Sequence, residues 1–188
     1  MTLYQKWCLK KAEIKAKRLS KFYQPGAKVL DIGSGNGALV KLLREQGLSV
    51  TPLDIQNKSA FEEIKPLLYD GGKLPWENLQ FDWVQMITVL HHTPNPENII
   101  KEAKRVGKKV LIMEDIYYNV AQKYLTFFAD SLNNIEFRGH PHTNKTDLGW
   151  KEVFLQNGLK VDKAEFYRFL GIFDQVIYAL SKVKEPVS

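Results

Sequence analysis

Residues Val29–Val40 read VLDIGSGNGALV, and this run decides the fold. Val29, Leu30 and Ile32 have the makings of a buried strand, Gly33, Gly35 and Gly37 permit a tight turn, and Ala38–Glu45 continues with helical apolar spacing. Such a turn presents backbone N–H groups at a helix start and is a ready binding site. Two ligand classes use it. The spacing Gly33-x-Gly35-x-x-Ala38 satisfies the loose dinucleotide pattern, in which the N–H groups hold a pyrophosphate. Asp31, two residues before the first glycine, puts negative charge where phosphates would sit and so argues for a cationic ligand instead. At about 4 Å and an effective dielectric near 20, one unlike pair gains roughly 4 kcal/mol before desolvation is subtracted.

S-adenosylmethionine carries a sulfonium and an ammonium group and no phosphate, so the sign of Asp31 favours a methyl donor. At this point the chain resembles the class I S-adenosylmethionine-dependent methyltransferases, in the small-molecule branch that includes the ubiquinone and menaquinone methyltransferases. The resemblance runs from about Arg18 to Lys182 and rests on four stations met in order. After the glycine turn comes Ser49–Ile55, SVTPLDI, a strand ending in an acid, Asp54, whose carboxylate can accept from both ribose hydroxyls. Leu67–Gly72, LLYDGG, comes next, and Phe81–Pro94, FDWVQMITVLHHTP, is similar to the family's fourth strand and the segment closing over the methionyl end. The resemblance implies that Asp31 faces the methionyl ammonium, directly or through water, and that Gly33, Ser34 and Gly35 let the backbone approach. It further implies that Asp54 and Ile55 hold the ribose side, that Asp70 and Gly71 recognise adenine, and that Thr88 lines the methyl-bearing end.

Strands near Lys28–Ile32, Ser49–Leu53, Leu67–Tyr69, Trp83–Ile87 and Lys109–Glu114 alternate with helices near Ala38–Gln46, Asn57–Ile64 and Pro96–Val106. Alternation of this kind means parallel strands joined by crossover helices. A helix near Asp147–Gln156 closes at Gly158, and strands Lys160–Phe169 and Gln175–Lys182 are separated only by Leu170–Asp174, which forces an antiparallel pair. The expected fold is α/β, a Rossmann-like, seven-stranded, mostly parallel sheet with a C-terminal antiparallel hairpin and helices on both faces. With 188 residues and 44% apolar content, the chain reads as a single methyltransferase domain over 1–188. Within it, 1–24 form a basic N-terminal helix, 25–115 the cofactor-binding half, 116–146 an insertion shaping the acceptor pocket, and 147–188 the last helix and hairpin. No substrate domain of the dehydrogenase kind fits in this length.

Cys8 is the only cysteine, which leaves no disulfide within the chain and no cysteine-rich metal site. No apolar run with a cleavage site opens the chain, no segment approaches a membrane span, and the expected location is cytoplasmic. The net charge of +6 is local. Met1–Lys21 holds Lys6, Lys10, Lys11, Lys15, Lys17, Arg18 and Lys21 against Glu13, so the remainder is neutral. Tyr4, Cys8, Ala12, Ala16, Leu19 and Tyr23 recur there as a packing face, with an ordinary solvated face opposite, a patch for an anionic substrate or RNA, or an amphipathic targeting sequence, which the excess of Lys over Arg and the lone Ser20 disfavour.

All four histidines lie in His91-His92 and His140-Pro141-His142. Methyl transfer is a direct displacement, so a protein mainly aligns the reactants and, where needed, supplies a base. His91 or His92 could deprotonate a hydroxyl or amine near neutral pH; in the resembling family this pair often serves packing and loop order instead. His140 and His142 could contact substrate, lie in a plain loop, or bind a metal with Glu114 or Asp115; no metal is assigned. Arg138 is the nearby cation that could clamp an acceptor carboxylate or phosphate, with a surface role equally open. Tyr124, Phe127, Phe128 and Leu132 fit a buried helical stripe better than a pocket wall, and Tyr117, Tyr118 and Phe137 add to the aromatic character of this insertion.

Some acceptors are disfavoured by comparison with the wider family. Ring-carbon methylation of pyrimidines needs a cysteine near the pocket, and Cys8 lies on the basic helix. The nucleic-acid amino-methylating enzymes place an Asn or Asp, two prolines and an aromatic after the fourth strand, where this chain reads TVLHHTPNP. The expected function is methyl transfer from S-adenosylmethionine to a small-molecule oxygen, nitrogen or activated carbon. The alternatives are a non-catalytic cofactor-binding or accessory protein of the same fold, and an RNA-modifying methyltransferase.

Overall fold

In a computed structural model the described residues are 1–118, 122, 124, 144–169 and 173–183. They form a seven-stranded mixed sheet of order β3-β2-β1-β4-β5-β7-β6 and gather into two compact units. One comprises Met1–Gln85 with Arg105–Lys109, the other Met86–Lys104 with Val110–Ser188.

The first unit opens with α1, Leu3–Ser20, started by a capping box in which Thr2 Oγ1 accepts from Gln5 N–H while Gln5 Oε1 accepts from Thr2 N–H. Its buried face is Cys8, Ala12, Ala16 and Leu19, mostly small residues that let it approach α2, Ala38–Glu45, closely. Two residues expected on this face fall elsewhere: Tyr4 is exposed, and Tyr23 is buried beyond the helix end. Strand β1, Lys28–Ile32, pairs in parallel with β2, Ser49–Asp54, from Lys28↔Ser49 to Ile32↔Leu53. β2 pairs in parallel with the short β3, Leu67–Leu68. β4, Phe81–Ile87, begins in this unit.

No helix forms over Asn57–Ile64, contrary to expectation. Ser59 N–H donates to Asn57 Oδ1, Phe61 N–H to Ser59 Oγ, and Ala60 N–H to Asn36 carbonyl at 3.0 Å. These bonds, two of them local and one to the glycine turn, take the amides a helix would need. Phe61 and Ile64 still bury their side chains, which is why their spacing imitates a helix face.

In the second unit a 3-10 turn at Leu90–His92 precedes α3, Pro96–Val106, and β5, Gly107–Ile116; the end of α3 and the start of β5, Arg105–Lys109, belong to the first unit. Thr146 caps α4, Asp147–Gln156, by accepting from Gly149 N–H, and Gly158 at φ +71° ends that segment. β6, Leu159–Phe169, and β7, Phe173–Lys182, pair antiparallel from Leu159↔Lys182 to Phe169↔Phe173, with a register shift between Val161 and Lys163. β7 also pairs antiparallel with β5, from Val110↔Leu180 to Ile116↔Asp174. Phe154 packs edge-on against Tyr178 at 5.1 Å and stacks with Trp150 at 6.0 Å, so α4 is held to the hairpin by aromatic rings. Among the described residues no helix is long and apolar enough to cross a membrane.

Gly37 joins the turn to α2 at φ +76°, and a Cβ there would stand 2.9 Å from Ser59 Oγ and 3.1 Å from Ile64 Cγ2. Gly37→Ala should therefore lower the unfolding free energy by about 1–3 kcal/mol, combining left-handed strain with a clash. Urea denaturation against wild type measures this, and an unchanged midpoint contradicts it.

Candidate functional site

The carboxyl end of β1 carries a buried acid. Asp31 is 1% exposed, and its Oδ1 accepts from Gln85 Nε2 at 2.7 Å. Oδ2 has no hydrogen-bond partner among the described residues. Burial pushes the Asp31 carboxyl up to about 7; the Gln85 bond opposes that rise, the Asp54 charge adds to it, and Lys15 on α1 counters it. Gln85 is itself fully buried on β4, and its Oε1 accepts from the Tyr23 hydroxyl. Tyr23 packs edge-on against Trp83 at 5.7 Å, and burial together with Asp31 holds its proton firmly on. A polar chain thus runs from the end of α1 through β4 to the end of β1.

The glycine turn comes directly after Asp31. Gly33, Gly35 and Gly37 all have positive φ, at 77°, 53° and 76°, a conformation open to glycine at little cost. Gly33 and Ser34 N–H groups both donate to the Leu53 carbonyl, which ties the turn to β2. Gly35 N–H donates to Asp54 Oδ2 at 2.8 Å. Asp54 Oδ1 accepts from Ile55 N–H at 2.8 Å and from Gln56 N–H at 3.4 Å. Asp54 stays half-exposed and each oxygen has acceptor capacity left. A Cβ at Gly35 would meet nothing within 4 Å, so the turn is open on that side. Ile55 stands 64% exposed beside it, an apolar surface offered to solvent.

Asp70 and Gly71 lie just after β3. Asp70 is exposed and its Oδ1 accepts from Gly72 N–H at 2.9 Å, an Asx turn, while Gly71 has φ +87°. Tyr69 next to it is pushed up to about 12, by burial first and then by the Asp54 and Asp70 carboxylates. The first unit therefore brings Asp31, the turn and Asp54 together, with Asp54 and Asp70 both acting on Tyr69.

In the second unit, Thr88 adopts φ +58°, an unusual state for a β-branched residue, fixed by its N–H to the Met113 carbonyl and its hydroxyl to the Ile87 carbonyl. Glu114, fully buried on β5, organises the turn beyond β4. Its Oε1 accepts from Val89 and Leu90 N–H groups at 3.0 and 2.8 Å, and its Oε2 is 2.5 Å from His91 Nδ1. His91 is fully buried; His92 is half-buried, with its ring 4.0 Å from that of His91. Asp115 Oδ1 accepts from Gln175 Nε2. No group of three or more potential metal ligands occurs among the described residues. Arg138, His140 and His142 lie outside the described residues, as do Phe127, Phe128, Leu132 and Phe137; Tyr124 is described and exposed.

Gln85, Tyr23 and the pairing of Glu114 with His91 escape a reading by motif. An available signal is Gln85 itself, a lone amide in the apolar run FDWVQMI, because a buried amide requires polar partners.

Against known proteins, residues 30–110 match the methyltransferase-domain family. The ubiquinone biosynthesis O-methyltransferase of Dechloromonas aromatica is 30% identical over 94 residues, 44% of this chain and 40% of that protein, so the matched stretch spans less than half of the relative's length. The fold is that of a Haloferax volcanii methyltransferase solved in complex with the Trm112 methyltransferase activator, with TM-score 0.69, 16% identity and 98% of each chain covered. It is likewise that of magnesium protoporphyrin IX methyltransferase from Synechocystis PCC 6803, solved with bound SAH, with TM-score 0.65, 16% identity, and 93% of this chain and 83% of that one covered.

Asp31 keeps its proton to about pH 7 when folded but releases it near 3.8 when unfolded. The folded state thus binds more protons between those values, and the stability due to this group is present below pH 4 and lost as pH rises through 7. Relative to Asp31→Asn, wild type should lose about 2–4 kcal/mol between pH 4 and pH 8. Urea denaturation of both proteins across that range tests it; parallel curves contradict it.

Proposed function

We propose that this chain belongs to the methyltransferase-domain family that residues 30–110 match, and that it uses S-adenosylmethionine to methylate a small-molecule acceptor at oxygen, nitrogen or an activated carbon. The observation that carries the reading is the bare Oδ2 of the buried Asp31 beside a glycine turn whose Gly35 N–H is already held by Asp54. Asp54, and Asp31 once its proton is lost, set negative charge at that turn, which repels a pyrophosphate and suits a ligand with cationic groups and ribose hydroxyls. The open side of Gly35 supports close approach of such a ligand to the backbone of Gly33, Ser34 and Gly35.

When bound, S-adenosylmethionine supplies a methyl group activated by its sulfonium. Asp31 would hold the methionyl ammonium, and Asp54 would accept from the ribose hydroxyls with the lone pairs its backbone bonds leave over. Ile55 would offer the nucleoside its exposed apolar face, and Asp70 and Gly71 would read adenine. Thr88 would line the methyl-bearing end. For an acceptor that must lose a proton, His92 is the better placed of the pair by exposure, with His91, pinned by Glu114, holding it in place. The segment 116–146 would shape the acceptor pocket within one methyltransferase domain, with Arg138, His140 and His142 as its substrate-facing candidates.

A second reading, an RNA acceptor, is favoured by one observation. On α1, which carries most of the net charge, the exposed Tyr4 and Trp7 rings stack at 6.0 Å with Lys11 Nζ 4.0 Å from the Trp7 ring, a surface suited to bases and phosphates. It predicts salt-sensitive RNA binding that is lost when Lys10, Lys11 and Lys15 are neutralised. An accessory role without turnover, or activity that depends on a partner such as the Trm112 activator seen in the Haloferax complex, is the outcome if cofactor binds and no acceptor is methylated by the chain alone.

Calorimetric titration with S-adenosylhomocysteine should give saturable binding, and nicotinamide and flavin dinucleotides should neither bind nor compete. Asp54→Ala should weaken S-adenosylhomocysteine by about 1.5–3 kcal/mol, as expected on losing charge-assisted hydrogen bonds. A dinucleotide that binds more tightly than S-adenosylhomocysteine overturns the reading.

A further inference from the structure

Gln85 and Tyr23 lie behind Asp31, away from its bare oxygen in the hydrogen-bond order. A primary amide has one donor end and one acceptor end, so whichever end faces Asp31 determines whether that carboxylate is supported or repelled. Tyr23 settles the choice. Its phenol is protonated and donates to Gln85 Oε1, which turns Nε2 toward Asp31 Oδ1 at 2.7 Å. With Oδ1 occupied, Oδ2 alone is left to receive a ligand.

We propose that Tyr23 and Gln85 are positioning residues for the cofactor's ammonium group: the phenol sets the amide, the amide anchors one carboxylate oxygen, and the other is thereby presented to the amino-acid end of the ligand. The proposal rests on the methyl-donor reading and adds to it a specific means of recognising the amino acid as distinct from the nucleoside. The groups acting on Asp31 come from three elements and the segment after α1: Gln85 on β4, Asp54 at the end of β2, Lys15 on α1, and Tyr23 just beyond α1. Only the Gln85 amide touches the carboxylate among them, so its orientation is the local control on the charge. If the hydroxyl is removed, the amide is free to turn its oxygen toward Asp31, which favours the protonated acid and weakens its hold on a cation.

The test compares two ligands. S-adenosylhomocysteine has the amino-acid end, and 5′-methylthioadenosine has the same nucleoside and thioether without it. Tyr23→Phe keeps the ring against Trp83 and deletes only the oxygen. It should weaken S-adenosylhomocysteine about five- to tenfold at pH 7, with the loss shrinking toward pH 8.5, and leave 5′-methylthioadenosine unchanged. Gln85→Leu should act in the same direction and more strongly. Equal weakening of both ligands by Tyr23→Phe, or no weakening of either, overturns the proposal. A measurement on the unaltered protein guards against variants that fold poorly: the Asp31 carboxyl followed by carbon NMR should titrate at lower pH with S-adenosylhomocysteine bound and stay put with 5′-methylthioadenosine. An unmoved Asp31 with S-adenosylhomocysteine bound also overturns it. Failure of the unaltered protein to bind S-adenosylhomocysteine at all is a different result and removes the methyl-donor reading itself.

Discussion

A carboxyl group at the buried end of an apolar strand is supported on one oxygen and bare on the other, and the architecture around the glycine turn is arranged about that imbalance. Burying an unpaired carboxylate costs several kcal/mol, and one neutral amide offsets only part of it. Asp31 therefore holds its proton to about pH 7. A cation delivered to Oδ2 would complete the pair without moving the protein. Stability given up by burying the carboxyl with one oxygen unpaired would be recovered as affinity for such a cation, the usual trade where a binding group is prepared in advance.

The same reasoning separates this turn from a phosphate cradle. In a dinucleotide site the amides of the glycine turn are left for the ligand's anionic oxygens. Here Gly35 N–H is spent on Asp54, and Gly33 and Ser34 N–H groups on the Leu53 carbonyl. Glycine is still required, because the backbone must take positive φ and leave its flank open, but the electrostatics are inverted. The second unit uses an acid differently. Glu114 has each of its oxygens engaged, by two backbone amides and by His91, and its work is to order the turn after β4 rather than to wait for a charge.

Much of this is legible in the sequence where one local cause dominates. β1 spans Lys28–Ile32 and α3 spans Pro96–Val106 as expected, because an unbroken apolar run and a clear 3.6-residue stripe each leave one solution. The expected hairpin also forms, its strands longer by one residue in β6 and two in β7 than the pattern indicates. Asn57–Ile64 misleads because Phe61 and Ile64 have helical spacing while Asn57 and Ser59 bond their own backbone, and periodicity alone does not weigh that competition. Tyr23 fits the spacing of a packing stripe whose helix stops at Ser20. At the site, the acids at strand ends can be named from position, but Gln85 meets Tyr23 across 62 residues and Glu114 meets His91 across 23. Pairings at such separations depend on the register of strands, which no local spacing records.

An open sheet has two outer strands, and each is a template on which another chain can polymerise. One margin of this sheet, β3, is two residues long and offers little to copy. The other, β6, is eleven residues long, and its register slips between Val161 and Lys163. That irregularity coincides with Lys160, Asp162, Lys163 and Glu165, charges of both signs along the strand. A second copy laid against β6 would have to match the kink and bury those charges. A slip in the pairing together with mixed charges is the kind of edge that disfavours such growth, and straightening it with apolar residues would make the margin more adhesive.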